Sequence, residues 1–385
     1  MIDALVQKYP DAKINVMLET SEVKQAFRMK NVSLEPMQYP RKRDLLLESV
    51  PLLLSRGKWC FTSRSRHFTE MVRRADVVVH APGGPSIGDI YVKQEMHYLY
   101  RLLIVKAMKK PYMFYAPSMG PFRSKKPLRN LLRKKVLSGA SVFCLREPVS
   151  QKYVREFSRK LAPTVTLDAA FQYPVDEAVN RDILERYELL NRFLTAHEKV
   201  IGMTITDLAW NPRFSKDKGV ADRIRASFSE MMAYLSRKGY GVLFIPQLFG
   251  SQNDKDYMTT FCTDNCFVME DTYDCYFQQY AIAKLYALIG MRYHSNIFSA
   301  KMGSPFISVA YEQKMLGFMK KADLLDYCIP IEDLSFESLR TKFERLESHY
   351  DDYRERLSEM RPVFAAESAK TTEALVEFMK NHGIG

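Results

Sequence analysis

Short runs of apolar, often β-branched residues alternate along the chain with longer stretches in which apolar positions return every three or four residues. The first kind of run predicts strands and the second amphipathic helices, and their regular alternation is the signature of parallel sheets joined by crossover helices. Strands are expected in the first half at Lys13 to Leu18, Val77 to His80, Tyr112 to Ala116, Val142 to Leu145 and Thr164 to Leu167. In the second half they are expected at Val200 to Thr206, Gly241 to Gln247, Leu285 to Gly290 and Phe306 to Ala310. Runs such as Gly241-Val-Leu-Phe-Ile-Pro246 are apolar almost throughout, as befits strands covered by helices on both faces.

Between the two series lies Asp176 to Lys199, charged and free of glycine, which reads as a helical linker. The expected division is therefore a first lobe over residues 1–180, a second over 199–330, and helices over 335–385 that pack back on the lobes. In that last segment Leu339, Phe343, Leu346, Tyr350, Tyr353, Leu357 and Met360 form one stripe of a long helix, which Pro362 should end or kink. The fold class expected is α/β, two Rossmann-like lobes in the GT-B-like manner with a long C-terminal helical region.

Composition sharpens this picture. A chain of 385 residues is long for one core and suits two domains. With 46% hydrophobic and 26% charged residues it lies far from disordered compositions. It holds no apolar run of 18 residues, and Met1 to Lys13 lacks a basic head followed by an apolar stretch, so the expected compartment is the cytosol. The six cysteines are scattered, and Cys262-x3-Cys266 has no matching His or Cys pair, so no metal is expected.

The formal charge of +12 asks for an anionic partner. Much of the excess is local: Arg123 to Lys135 holds seven basic side chains interleaved with Leu128, Leu131 and Leu132. Peripheral contact with an anionic membrane through 123–135 and a merely solvated helix face both fit this pattern. No nucleic-acid motif accompanies the charge, so nucleic acid is not an expected partner.

Ligands of doubly wound sheets sit beyond the carboxyl ends of the strands. Beyond Val77 to His80 comes Ala81-Pro-Gly-Gly-Pro-Ser-Ile-Gly-Asp89, in which Gly83 and Gly84 are expected to allow positive φ and close backbone approach to an oxyanion, with Ser86 and Asp89 able to contact a ligand. Cys144-Leu-Arg-Glu147 puts Arg146 at another strand end, where a guanidinium can grip a carboxylate or phosphate. Gly290-Met-Arg-Tyr-His-Ser-Asn-Ile-Phe298 brings Arg292 and His294 to the start of a helix, whose backbone amides favour anions. Lys314 follows the next strand in Tyr311-Glu-Gln-Lys314. Fixed cations with one titratable imidazole suit a small, highly anionic substrate.

At these residues the chain resembles the polysaccharide pyruvyl transferase family, over roughly residue 70 to residue 325. The resemblance rests on the glycine turn ending in Asp89, Ser118-Met-Gly-Pro121, Arg146-Glu147, Thr166-Leu-Asp168 before Ala169-Ala-Phe171, Gly-Met-Arg-x-His294, Gly303-x-Pro305 and Tyr-x-x-Lys314. It implies a GT-B-like fold, phosphoenolpyruvate as donor substrate with no further cofactor, and a pyruvate ketal on a glycan or its lipid-linked precursor as product. Carried to matching positions, it implies Arg146, Arg292, His294 and Lys314 as donor-binding residues. Asp89 or Asp207 is then the expected base for the sugar hydroxyl, and His294 the expected acid. Family members usually open with a strand and an Asn-x-Gly-Asp loop, whereas this chain opens at what reads as the helix that follows. Two other functions share these features: transfer from a sugar nucleotide, and non-catalytic binding of anionic glycans or membrane surfaces.

Overall fold

The computed structural model describes residues 1–18, 31–36, 39–84, 86–248 and 253–384, apart from the side chains of Lys42 and Leu46. The chain forms two compact units, Met1–Tyr173 with Glu367–Gly385, and Pro174–Ala366. Asp176 to Lys199, expected as a linker, folds as two helices of the second unit, and the last residues return to the first.

In the first unit the order is α1 (Ile2–Lys8), β1 (Ile14–Leu18), β2 (Val32–Pro36), α2 (Lys42–Leu54), α3 (Ser63–Arg74), β3 (Val78–His80), α4 (Val92–Ala107), β4 (Tyr112–Tyr115), α5 (Pro127–Leu137), β5 (Val142–Leu145), α6 (Pro148–Phe157) and β6 (Thr164–Val165). Strands β3-β4-β5-β6 lie side by side in sequence order, all parallel, and β1 pairs with β2 in a separate parallel ladder. One face of the four-stranded sheet is closed by a large core containing Leu52, Phe68, Val72, Leu99, Ile104, Phe114, Val136 and Val154. The other carries Met113, Tyr115 and Cys144 under Leu5 and Leu375.

The second unit comprises α7 (Glu177–Arg186), α8 (Glu188–Ala196), β7 (Val200–Thr204), α9 (Lys218–Arg237), β8 (Gly241–Phe244), α10 (Asp254–Thr259), β9 (Cys266–Val268), α11 (Cys275–Ala283), β10 (Ala287–Gly290), α12 (Tyr293–Met302), β11 (Phe306–Ala310), α13 (Gln313–Lys321), β12 (Cys328–Pro330), α14 (Phe336–Ser348) and the start of α15 (Tyr350–Asn381). Its six parallel strands run β12-β11-β10-β7-β8-β9. Strands β7, β8, β10 and β11 are buried at every position, which is why they read as continuous apolar runs. From β7 the chain winds outward through β8 and β9, then returns to lay β10 on the other side of β7. The strand order reverses between β7 and β10, and the carboxyl ends at such a reversal are where sheets of this kind bind ligands.

The expected long C-terminal helix is two helices, interrupted at His349. Pro362 does not end the second; α15 runs through it to Asn381. Pro362 is exposed, so the carbonyl that loses its intrahelical donor there can turn to water.

Candidate functional site

At the strand-order reversal of the second unit, the end of β10 is tied to the end of β7. The Met291 N–H donates to the Thr204 carbonyl at 2.8 Å, and the Arg292 N–H to Thr204 Oγ1 at 3.2 Å. Gly290 admits no side chain, because a Cβ would lie 1.9 Å from Asn296 Oδ1. With its backbone fixed, Arg292 sends its guanidinium over the end of β7 to Asp254 at the start of α10. Nε donates to Asp254 Oδ2 at 3.0 Å, a second nitrogen donates to Oδ1, and that nitrogen also lies 3.3 Å from Thr206 Oγ1. Asp254 further accepts the N–H groups of Gln247 (3.1 Å) and Leu248 (2.9 Å) beyond β8. The indole of Trp210 covers the guanidinium at 5.0 Å, and buried Tyr311 stands beside it.

Burial by itself would lower the Arg292 pKa, but the Asp254 hydrogen bonds and the field of Tyr311 outweigh it and raise the pKa. Burial pushes the Tyr311 phenol upward, against the opposing effect of Arg292. Arg292 is thus a buried, charged clamp across three strand ends, with its two-pronged face turned to a carboxylate of its own chain. Sequence position alone pointed it toward a ligand.

His294, the second residue of α12, is exposed. Its ring meets Tyr293 edge-on at 5.4 Å and stacks on Phe298 at 6.0 Å. The Lys314 ammonium lies 2.7 Å from Glu312 Oε2 and 5.5 Å from the same Tyr293 ring. Tyr293 therefore joins the imidazole and the ammonium that the sequence nominated separately. Asn211 completes the group by donating to Glu312 Oε1 at 3.3 Å. Asp207 is partly exposed, with Oδ1 accepting the Ala209 N–H at 2.9 Å. Asp254, Thr206, Trp210, Asn211 and the roles of Tyr311 and Glu312 were missed by the sequence reading. The signal for the first four was only their place beyond β7 and β8.

In the first unit Arg146 forms a similar clamp. It is buried, with Nε donating to Ser118 Oγ beyond β4 at 2.8 Å and a terminal nitrogen donating to Asp168 Oδ2 beyond β6 at 2.6 Å. Glu147 Oε2 lies 3.5 Å from Nε. The expected glycine turn is built differently from its reading. Gly83 is outside the left-handed region, and a Cβ there would meet nothing within 4 Å. The close approach is at Gly88, with φ 153°, where a Cβ would fall 2.6 Å from the Gly120 carbonyl oxygen. The Gly83 carbonyl accepts the Ser118 N–H at 3.1 Å, and the Gly84 carbonyl the Ser86 N–H at 2.7 Å. Pro85, between Gly84 and Ser86, lies outside the described residues.

Asp89 is engaged on both oxygens. Oδ1 accepts from Arg133 at 2.6 Å and lies 3.1 Å from Arg129, while Oδ2 accepts the N–H groups of Arg123 and Ser124. Burial would raise its pKa, but the Arg133 contact and the two amides hold it below the usual carboxylate range, which makes it a weak base. The same pairing takes two of the seven basic side chains of 123–135 out of any surface role. Arg133 is fully buried and Arg129 nearly so, both on Glu95 of α4, at 2.7 Å and 2.5 Å respectively.

Comparison with known proteins places these features in a family. The family profile described as "Polysaccharide pyruvyl transferase" matches residues 1–313. The chain belongs to the polysaccharide pyruvyl transferase family. This family member is 22% identical over 306 residues to the amylovoran biosynthesis protein AmsJ of Erwinia amylovora, covering 76% of the chain and 70% of that relative. In fold, the pyruvyl transferase chain is similar to the UDP-GlcNAc 2-epimerase of Neisseria meningitidis solved with UDP-GlcNAc, with TM-score 0.54, 11% identity, and 97% and 94% of the two chains covered. It is also similar to the trehalose-6-phosphate synthase of Burkholderia multivorans, with TM-score 0.52, 12% identity, and 96% and 90% covered. These likenesses establish a GT-B-type fold and leave the chemistry to the site.

Proposed function

We propose that the chain transfers an enolpyruvate-derived group from phosphoenolpyruvate to hydroxyls of a glycan or its lipid-linked precursor, forming a pyruvate ketal. The observation that carries the reading is the pairing of exposed His294 with Lys314 through Tyr293, at the start of α12 and at a strand-order reversal, in a member of this family. Backbone amides at the start of α12 and the Lys314 ammonium supply positive potential for a phosphate or carboxylate. Protonated His294 delivers a proton to the enol methylene carbon. One sugar hydroxyl adds to the carbon that bears phosphate, the C–O bond to phosphate breaks and inorganic phosphate leaves, and a second hydroxyl closes the ketal; of the two hydroxyl protons, one restores the imidazolium that protonated the carbon and the other leaves on the phosphate. The cations stabilise charge on the departing phosphate.

In this reading Arg292 and Arg146 are positioning residues, because two nitrogens of each guanidinium already serve the chain itself, on Asp254 for the first and on Ser118 and Asp168 for the second. Asp207 is a better candidate than Asp89 for the base, since the latter is committed to Arg133. Thermal stability measured with phosphoenolpyruvate and with a panel of sugar nucleotides tests the proposal, because a ligand held only by the folded state raises the melting temperature. A rise with phosphoenolpyruvate alone, abolished in Lys314→Ala, is expected. A rise with a sugar nucleotide alone would transfer the assignment to glycosyl transfer.

A further inference from the structure

Helix α2 carries Leu47, Val50 and Leu54 on its outward side, the last 76% exposed, and the loop behind it adds Trp59 and Phe61 at 61% and 62%. Five large apolar side chains from 15 consecutive residues stand in solvent, an arrangement that marks an interaction surface. The loop folds back along the helix. The Trp59 N–H donates to Ser55 Oγ at 2.9 Å and the Phe61 N–H to Glu48 Oε2 at 2.7 Å, so the backbone of one aromatic residue is held at the end of α2 and that of the other about two turns back along it.

The exposed charge of this segment, residues 41–66, is of one sign. Both carboxylates of the segment are buried and used internally. Asp44 accepts from Arg64 (2.9 Å) and from the Arg41 N–H (2.8 Å), and Glu48 accepts from Phe61, Thr62 and Ser65. Arg43, Arg56, Lys58 and Arg66 remain exposed, and no acidic side chain between residues 41 and 66 does, among the described residues. Helix α5 packs on the same helix α4 as α2 does, and exposes Leu128 and Leu131 among Lys125, Lys126, Lys134 and Lys135. Exposed tryptophan, phenylalanine and leucine in a segment whose exposed charges are all arginine and lysine match the interfacial zone of an anionic bilayer. No helix among the described residues is long and apolar enough to cross a membrane.

From this geometry we infer that α2 and the loop Arg56 to Phe61 seat the protein on an anionic lipid surface, with α5 adding cationic contacts. The occupant is the bilayer face itself, and the inference does not depend on the transfer reaction. The full chain is floated with vesicles of phosphatidylcholine alone and of phosphatidylcholine mixed with phosphatidylglycerol. Binding to the anionic vesicles is expected, falling with added salt and weakened at least about tenfold in Leu54→Gln/Trp59→Ser. Because both positions are exposed, the variant should melt at the wild-type temperature and keep its response to phosphoenolpyruvate, which separates this outcome from any failure of the transferase reading. Equal binding by variant and wild type, or no binding to either vesicle, overturns the inference. So does a concentration-dependent dimer that Trp59→Ser dissolves in a protein indifferent to vesicles, since the occupant would then be a second copy.

Discussion

Arg292 and Asp254 meet face to face across the end of β7, with Nε 3.0 Å from Oδ2 and both groups almost wholly buried. Removing one partner of such a pair strands the other in a medium that solvates it poorly, at a cost of about 3–5 kcal/mol. Asp254→Ala is therefore expected to lower the denaturant midpoint of the second unit sharply, and Arg292→Ala by a similar amount. The double variant should lose much less than the sum of the two. Strict additivity would show that the pair is not coupled.

His294 projects from the first turn of α12 into solvent, so its replacement should separate chemistry from folding. His294→Ala is expected to melt like the parent while turnover falls about 10²–10⁴-fold, the usual contribution of a positioned acid. Parental turnover in a well-folded variant removes the imidazole from the reaction.

Two glycines of one loop should respond oppositely. Gly83→Ala meets open space and should be nearly neutral, whereas Gly88→Ala drives a methyl into the Gly120 carbonyl from a backbone conformation unsuited to L residues. The second change should cost more than the ~1–2 kcal/mol of a left-handed residue alone. Matching melting temperatures for the two variants would contradict the close approach.

His80, at the end of β3, packs edge-on against Tyr98 and Phe114. Burial, with a smaller contribution from Arg101, lowers its pKa from 6.5 to about 4. The folded state thus takes up its proton later than the unfolded state does. Stability from the neutral ring is full above pH 6.5 and drains away as pH falls toward 4. His80→Phe should flatten the dependence of melting temperature on pH across that interval, and an unchanged slope would place the titration elsewhere.

Below that interval the carboxylates take over. Asp44 and Asp89 titrate below the ordinary range, against burial, because Arg64 and Arg133 hold their charged forms. Their stabilisation is complete above about pH 4 and is lost as pH falls through the lowered values. Asp89→Asn should be less stable than the parent at pH 7, and the gap should narrow in acid.

How much was visible in the sequence depends on how local the deciding contact is. Strands β7, β8, β10 and β11 were legible because burial on both faces leaves an unbroken apolar run. Strands β2, β9 and β12 are partly exposed or only three residues long, and they escaped. The places of Arg146 and Arg292 at strand ends were legible as well. The orientation of their forks was not, because Asp168 lies 22 residues from one and Asp254 38 residues from the other, and only the parallel register brings them together. Charge counting failed at Arg129 and Arg133 for the same reason: their carboxylates are on α4 and in the preceding loop.

The return of α15 to the first unit gives synthesis a direction. Thr372 reaches the Tyr115 hydroxyl, Ser368 Oγ donates to the Asp168 carbonyl at 2.6 Å, and Leu375 covers Met113, Tyr115 and Cys144 on the back of the sheet. Roughly 200 residues of the second unit emerge from the ribosome between the sheet and this cover. The unit begun first is consequently the one sealed last, and a nascent chain must keep that apolar face shielded until its final turns of helix arrive.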